Sequence, residues 1–213
     1  PQVYKDKGMK IVASNLCSEI CLSSSPSESF VCCLSSLNLL HYDEWKDTDA
    51  VETMTYFLDA VMSDFIRVSE RVPHMQAPHD FAVNQRALGV GVLGWHSLLQ
   101  SKMIPFESME AKFLNTQIHR LVRDKSYAAS REMAARYGEP PLLKGYGMRN
   151  VTTMAIAPTT SSSFILGQVS QGVEPENSAL FVRDLAKGEF THKNPILKAL
   201  LHSKGHDDRK TWD

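Results

Sequence analysis

Asn15, Cys17 and Glu19 stand at alternate positions in Ser-Asn-Leu-Cys-Ser-Glu-Ile, residues 14–20, and offer an amide, a thiol and a carboxylate close together along the chain. In an extended segment this spacing sends three side chains to one side, with Leu16, Ser18 and Ile20 on the other. A carboxylate so placed is a general base, an amide orients a hydroxyl through its donor and acceptor atoms, and a thiol supports redox or radical chemistry. The same pattern also describes a half-exposed strand with an apolar backing, so the rest of the chain has to decide.

The cysteines lie at 17, 21, 32 and 33. In a chain of this size without a secretory leader, such residues are expected to be reduced and catalytic or metal-binding rather than paired in structural disulfides. Zinc normally asks for two C-x2-C knuckles. Here these are absent, and adjacent Cys32 and Cys33 point apart if that stretch is a strand. No metal site is therefore assigned, and redox or radical use of the thiols is the sharper expectation.

A second chemical segment comes late. Met154–Ala157 reads as a short buried strand, Pro158 ends it, and Thr159, Thr160, Ser161, Ser162 and Ser163 form an unbroken hydroxyl run before Phe164-Ile165-Leu166. A strand that enters a hydroxyl-rich loop and opens a helix brings together orphan N–H groups, the positive end of a helix dipole and several O–H donors, which suits a phosphate. A plain helix cap is the simpler alternative.

Composition narrows the partners. The 213 residues are 43% hydrophobic and 22% charged, with a net charge of -1. That is an ordinary globular balance with no basic field for nucleic acid or an anionic membrane surface. A phosphate-bearing partner would have to be held locally, as the hydroxyl run could do. No apolar run approaches a membrane span, and Pro-Gln-Val-Tyr-Lys-Asp-Lys-Gly-Met-Lys at the start has no signal-peptide design, so the expected location is cytoplasmic. A start at Pro1 rather than Met suggests a piece of something longer.

The elements that must carry these residues alternate between strand and helix. Residues 9–15 and 29–40 read as strands joined by a Ser-rich turn. Asp47 to Ser69 reads as a helix with Val51, Met54, Leu58, Val61, Met62 and Phe65 as its apolar stripe. Two prolines make 71–81 a loop, with His74 and His79 as loop residues. Gly89, Gly91 and Gly94 spell G-x-G-x-x-G, but Leu88, Val90, Val92 and Leu93 interleave them as in a strand interior. Close backbone packing is thus a better account than a dinucleotide fingerprint. A long helix is expected from Pro105 to Tyr137, burying Phe106, Met109, Phe113, Ile118, Leu121 and Val122, and ending at Gly138. No repeat or internal boundary divides residues 1–213.

Taken together, Ser-Asn-Leu-Cys-Ser-Glu-Ile, Val-Cys-Cys-Leu-Ser-Ser-Leu-Asn-Leu, Arg-Ala-Leu-Gly-Val-Gly-Val-Leu-Gly and the stretch from Ala157 to Ser178 resemble, in order, motifs of the large catalytic subunit of ribonucleotide reductase, in a style closer to the class I enzymes. The resemblance implies an α/β fold, part of a ten-stranded α/β barrel with the radical-cysteine loop inside. It implies Cys17 as the thiyl radical that abstracts the ribose 3'-hydrogen, Glu19 as base for the 3'-hydroxyl, Asn15 as ribose-orienting amide and Cys32 as one reducing cysteine. It also implies Thr159, Thr160, Ser161 and Ser162 as the cradle of the substrate diphosphate. Implied partners are a ribonucleoside diphosphate, the remaining segments of the large subunit, a metal-containing small subunit that supplies the radical, and thioredoxin or glutaredoxin. No cofactor is expected within the segment, which should be inactive without the rest of the enzyme. Two alternatives stay open: a fragment of the adenosylcobalamin-dependent reductase, or a non-catalytic remnant that binds a partner chain.

Overall fold

The computed structural model describes residues 1–185 and 188–212. In chain order its elements are α1 (Gln2–Asp6), β1 (Cys33–Asn38), α2 (Tyr42–Trp45), α3 (Ala50–Ser69), α4 (Gln76–Gln85), β2 (Leu88–Leu93), α5 (Trp95–Ser101) and α6 (Met109–Tyr137). There follow α7 (Thr160–Ile165), β3 (Leu180–Leu185), β4 (Gly188–Lys193), α8 (Pro195–Ser203) and α9 (Arg209–Trp212).

β1 and β2 run parallel, with Cys33 opposite Leu88 and Asn38 opposite Leu93. On the other side of β2, Val90 bridges to Met154 in parallel, and Ala155 N–H donates back to the Val90 carbonyl at 3.4 Å. The expected strand at Met154–Ala157 is thus present only as this bridge. β2 is buried at every position, as a central parallel strand should be, whereas β1 is half-buried throughout. Among the described residues the parallel strands form an open sheet and not a closed barrel. β3 and β4 make a separate antiparallel hairpin.

The glycines of β2 serve close packing. A Cβ on Gly91 would lie 2.2 Å from the Ala155 carbonyl oxygen, and one on Gly89 would lie 2.3 Å from a Leu34 methyl and 2.8 Å from the Ala155 Cβ. Only residues without side chains let the third segment approach β2 this closely.

The two faces of the sheet carry different clusters. Cys33, Leu37, Leu88, Val90 and Val92 pack with α3, α5 and α6 through Leu58, Met62, Leu98, Ile118 and Val122. Cys32 and Leu34 pack on the opposite side with Tyr4, Ile20, Leu22, Phe81 and Ala155. The strict alternation of a strand separates adjacent residues in this way.

Several expectations change. Residues 9–15 are irregular rather than a strand. The proline-containing stretch forms α4, because Pro78 lies in the first helical turn, where a missing N–H breaks no intrahelical bond. His79 is therefore helical, and its Nδ1 lies 3.0 Å from Ser69 Oγ. The long helix starts at Met109, capped by Ser108 Oγ accepting the Ala111 N–H at 3.1 Å, and not at Pro105. Its buried face consequently starts at Ala111 and Ile118, while Met109 and Phe113 are exposed, as is Val61 on α3. Among the described residues, no helix is long and apolar enough to cross a membrane.

Candidate functional site

The segment around Cys17 is a tight turn, not an extended row. Ser18 N–H donates to the Asn15 carbonyl at 3.1 Å, Asn15 N–H to the Ile20 carbonyl at 3.4 Å, and Ile20 N–H to the Asn15 side-chain Oδ1 at 3.2 Å. Ser18 adopts φ 62°, the left-handed conformation that closes the turn. A short polar side chain that bonds the local backbone competes with extended structure, and here it wins. Alternation is therefore not what groups Asn15, Cys17 and Glu19. The turn displays Cys17 at its exposed tip beside Leu16, which is 99% exposed, and anchors itself through buried Ile20 and Leu22. The expected enclosure of this loop is not formed by the described residues, since the strands behind it make an open sheet.

Asn15 and Glu19 are both half-buried. Asn15 Oδ1 is engaged in closing the turn, so its amide is oriented by the loop itself. Glu19 Oε2 is buried and has no hydrogen-bond partner among the described residues. A buried carboxylate oxygen left unpaired is unusual and calls for a reason. One neighbour is Cys32: its thiol is pushed up to about 11, first by burial, then by the negative charge of Glu19 and by Cys33. Cys32 thus stays a protonated thiol at neutral pH.

Cys33 looks the other way. Burial raises its pKa, while the nearby charges are the Arg86 guanidinium, which lowers it, and Asp59, which raises it. The structure therefore brings Cys32, and not Cys33, to the loop bearing Cys17 and Glu19. Cys17 and Cys21 are exposed free thiols. Among the described residues no group of three or more His, Cys, Asp or Glu side chains could hold a metal ion.

The hydroxyl run opens α7, as its sequence suggested. Thr159 precedes the helix at φ 55° and ψ 29°, a left-handed conformation that is costly for a β-branched residue. Its Oγ1 accepts the Gly172 N–H at 2.9 Å, and Thr160 Oγ1 donates to Gln171 Oε1 at 3.3 Å. These two threonines are thus partly used to hold the turn. Ser161 and Ser162 are exposed, and they sit in the first helical turn, whose N–H groups have no intrahelical acceptors. Ser163 is buried and donates to the Thr160 carbonyl at 3.2 Å. The segment after α7 is pinned to α5 by a reciprocal pair: Ser170 N–H donates to Ser97 Oγ at 2.9 Å and Ser97 N–H to Ser170 Oγ at 3.2 Å.

One buried network escaped the sequence reading. Asp59 on α3 accepts Arg86 Nε and Asn150 Nδ2 on Oδ1, each at 2.9 Å, and Arg86 Nη2 and Arg149 Nε on Oδ2, each at 2.9 Å. Burial would raise the Asp59 carboxyl, but Arg86, Arg149 and Asn150 together hold it below the usual range. This network ties α3 to the start of β2 and to the chain entering the Met154 bridge. The available signal was a carboxylate adjoining the apolar stripe of α3, beside Leu58 and one turn after Thr55.

Comparison with known proteins follows the same outline. Residues 2–142 and 142–212 match the family model described as ribonucleotide reductase, barrel domain. The chain is 41% identical over 210 residues to a putative ribonucleoside-diphosphate reductase large subunit of Frog virus 3 (isolate Goorha), covering 98% of this chain and 37% of that protein. It is 36% identical to the large subunit of Invertebrate iridescent virus 3, covering 98% of this chain and 33% of the relative. Among solved structures, the Actinobacillus ureae class Id ribonucleotide reductase alpha subunit superposes with a TM-score of 0.92 at 55% identity, over 100% of this chain and 39% of that one. The chain thus spans well under half the length of these relatives.

Proposed function

Because the chain belongs to the ribonucleotide reductase large-subunit family and matches its barrel domain, we propose that it carries the radical chemistry which converts ribonucleoside diphosphates to 2'-deoxyribonucleotides. Cys17, as a thiyl radical, takes the hydrogen from C3' and becomes a thiol. Glu19 accepts the 3'-hydroxyl proton, Asn15 orients the ribose, and the 2'-hydroxyl takes a proton from one thiol of the reducing pair and departs as water. Two electrons and their protons come from the Cys32 thiol and a second thiol, which close to a disulfide. Glu19 gives its proton back to the 3'-oxygen, and Cys17 returns its hydrogen to C3' and is again a radical. Ser161 and Ser162, with the first-turn N–H groups of α7, bind the diphosphate, and Thr159 and Thr160 hold that turn in shape.

The observation that most supports this assignment is the place of Cys32, which packs in one cluster with Ile20 and Leu22, the anchors of the loop bearing Cys17 and Glu19, and feels the Glu19 charge. A reductant that must keep its hydrogen until the substrate is a radical is well served by a raised pKa, and burial with an adjacent carboxylate provides it. The oxidising equivalent that makes the Cys17 radical is the contribution of a radical-generating small subunit. Likeness to a class Id alpha subunit at 55% identity favours this class I arrangement over the cobalamin-dependent one. Thioredoxin or glutaredoxin would reduce the disulfide for the next turnover.

The test is a single turnover without external reductant, in a complete large subunit containing this segment and paired with its small subunit. The peptide bearing the new disulfide is then identified by mass spectrometry. Oxidation at Cys32 with Cys33 left as a thiol is expected. Oxidation at Cys33 instead would overturn the assignment.

A further inference from the structure

Ring packing holds the middle of α7, where half-buried Phe164 lies 5.8 Å from the ring of buried His192. Of its six residues only Ser163 is fully buried, Ile165 is 81% exposed, and Leu166 just beyond is 46% exposed. Hydrogen bonds fix its two ends. At the start, Thr159 Oγ1 accepts the Gly172 N–H. At the far end, Asn38 Nδ2 donates to the Leu166 carbonyl at 3.0 Å, across a sequence separation of 128.

Asn38 is itself fixed in place. It is the last residue of β1, its Oδ1 accepts the Leu40 N–H at 3.0 Å, and its carbonyl accepts Trp45 Nε1 at 2.9 Å. By strand alternation it lies on the face of β1 that carries Leu34 and, just before the strand, Cys32. The hydrogen bond to Leu166 therefore links the strand that follows Cys32 to the C-terminal end of the helix whose first turn carries Ser161 and Ser162.

We propose that Asn38 is a positioning residue: its carboxamide holds α7 against the end of β1 and so sets the two serines at the right place for a nucleoside diphosphate whose ribose lies near Cys32. This rests on the reading of α7 as the diphosphate site. Asn38 touches no reacting atom, and its loss changes where the phosphates are held rather than the bond-making steps.

Two variants isolate the link. Asn38→Asp keeps an acceptor for the Leu40 N–H, removes the donor to Leu166 and sets a carboxylate against a carbonyl. Asn38→Ser keeps a short acceptor and cannot span to Leu166. In the complete enzyme, both should raise KM and weaken directly measured nucleoside diphosphate binding by about three- to tenfold, the worth of one hydrogen bond, with kcat within about twofold. Amide exchange should quicken at Leu166 and Gln168 and stay unchanged in β1 and β2. Unaltered affinity in the folded variants, or a fall in kcat with KM unchanged, would overturn the proposal, as would failure of both variants to fold. A Ser161→Ala/Ser162→Ala enzyme measured alongside separates the two layers. If it binds like wild type, the diphosphate reading itself falls; if it alone weakens, only the role of Asn38 does.

Discussion

The Glu19 carboxylate bears on the Cys32 thiol: after burial, it is the strongest influence holding that thiol protonated. Glu19→Gln removes the charge while keeping the shape. The pKa of Cys32 should then fall, so the thiolate fraction at pH 8 rises and alkylation of the Cys32 peptide by iodoacetamide accelerates severalfold. Cys33, whose charged neighbours are Arg86 and Asp59, is the internal control and should react at its original rate. Equal acceleration of both would indicate general loosening instead of a specific electrostatic contact.

Where the chain's own periodicity decides structure, the sequence was readable. β1, β2, α3 and most of α6 follow from alternation or helical spacing, and the opposite orientation of Cys32 and Cys33 follows from the same rule. The loop before Ile20 was misread because one side-chain oxygen, Asn15 Oδ1, bonds the Ile20 N–H and bends what the residue types suggest is extended. α4 was missed because Pro78 looks like a breaker and is harmless in a first turn. The relationships that assemble the site, the charge of Glu19 acting on Cys32 and the hydrogen bond from Asn38 to Leu166, join separate segments, and no local pattern encodes them.

Asp59→Asn should destabilise the fold by about 3–5 kcal/mol, because it leaves buried Arg86 without its counter-charge. The pH dependence follows from the depressed Asp59 carboxyl. Its contribution is fully present above the unfolded value of about 3.9 and is lost as pH falls from there through the lower folded value. Urea denaturation from pH 7 down to about pH 3 should show the wild type converging on the variant below roughly pH 4. A constant gap across that range would contradict the account.

Gly89 and Gly91 should respond differently to the same partner change. Gly91→Ala drives a methyl to 2.2 Å from a backbone carbonyl, that of Ala155, and should cost about 1–3 kcal/mol that no side-chain truncation at 155 recovers. Gly89→Ala meets the Leu34 methyl and the Ala155 Cβ. Adding Ala155→Gly should therefore recover part of its loss. Thermal or denaturant melts of the two single and two double variants decide this, and equal rescue of both would be the contrary result.

The most direct measurement is deoxynucleotide formation by Cys17→Ser in a complete large subunit paired with its small subunit. A serine O–H is much harder to convert to a radical than a thiol, and Cys17 is exposed at the tip of its turn, so the change disturbs no packing. The account predicts no deoxynucleotide above background, with nucleoside diphosphate binding close to wild type. Substantial turnover by Cys17→Ser would contradict it.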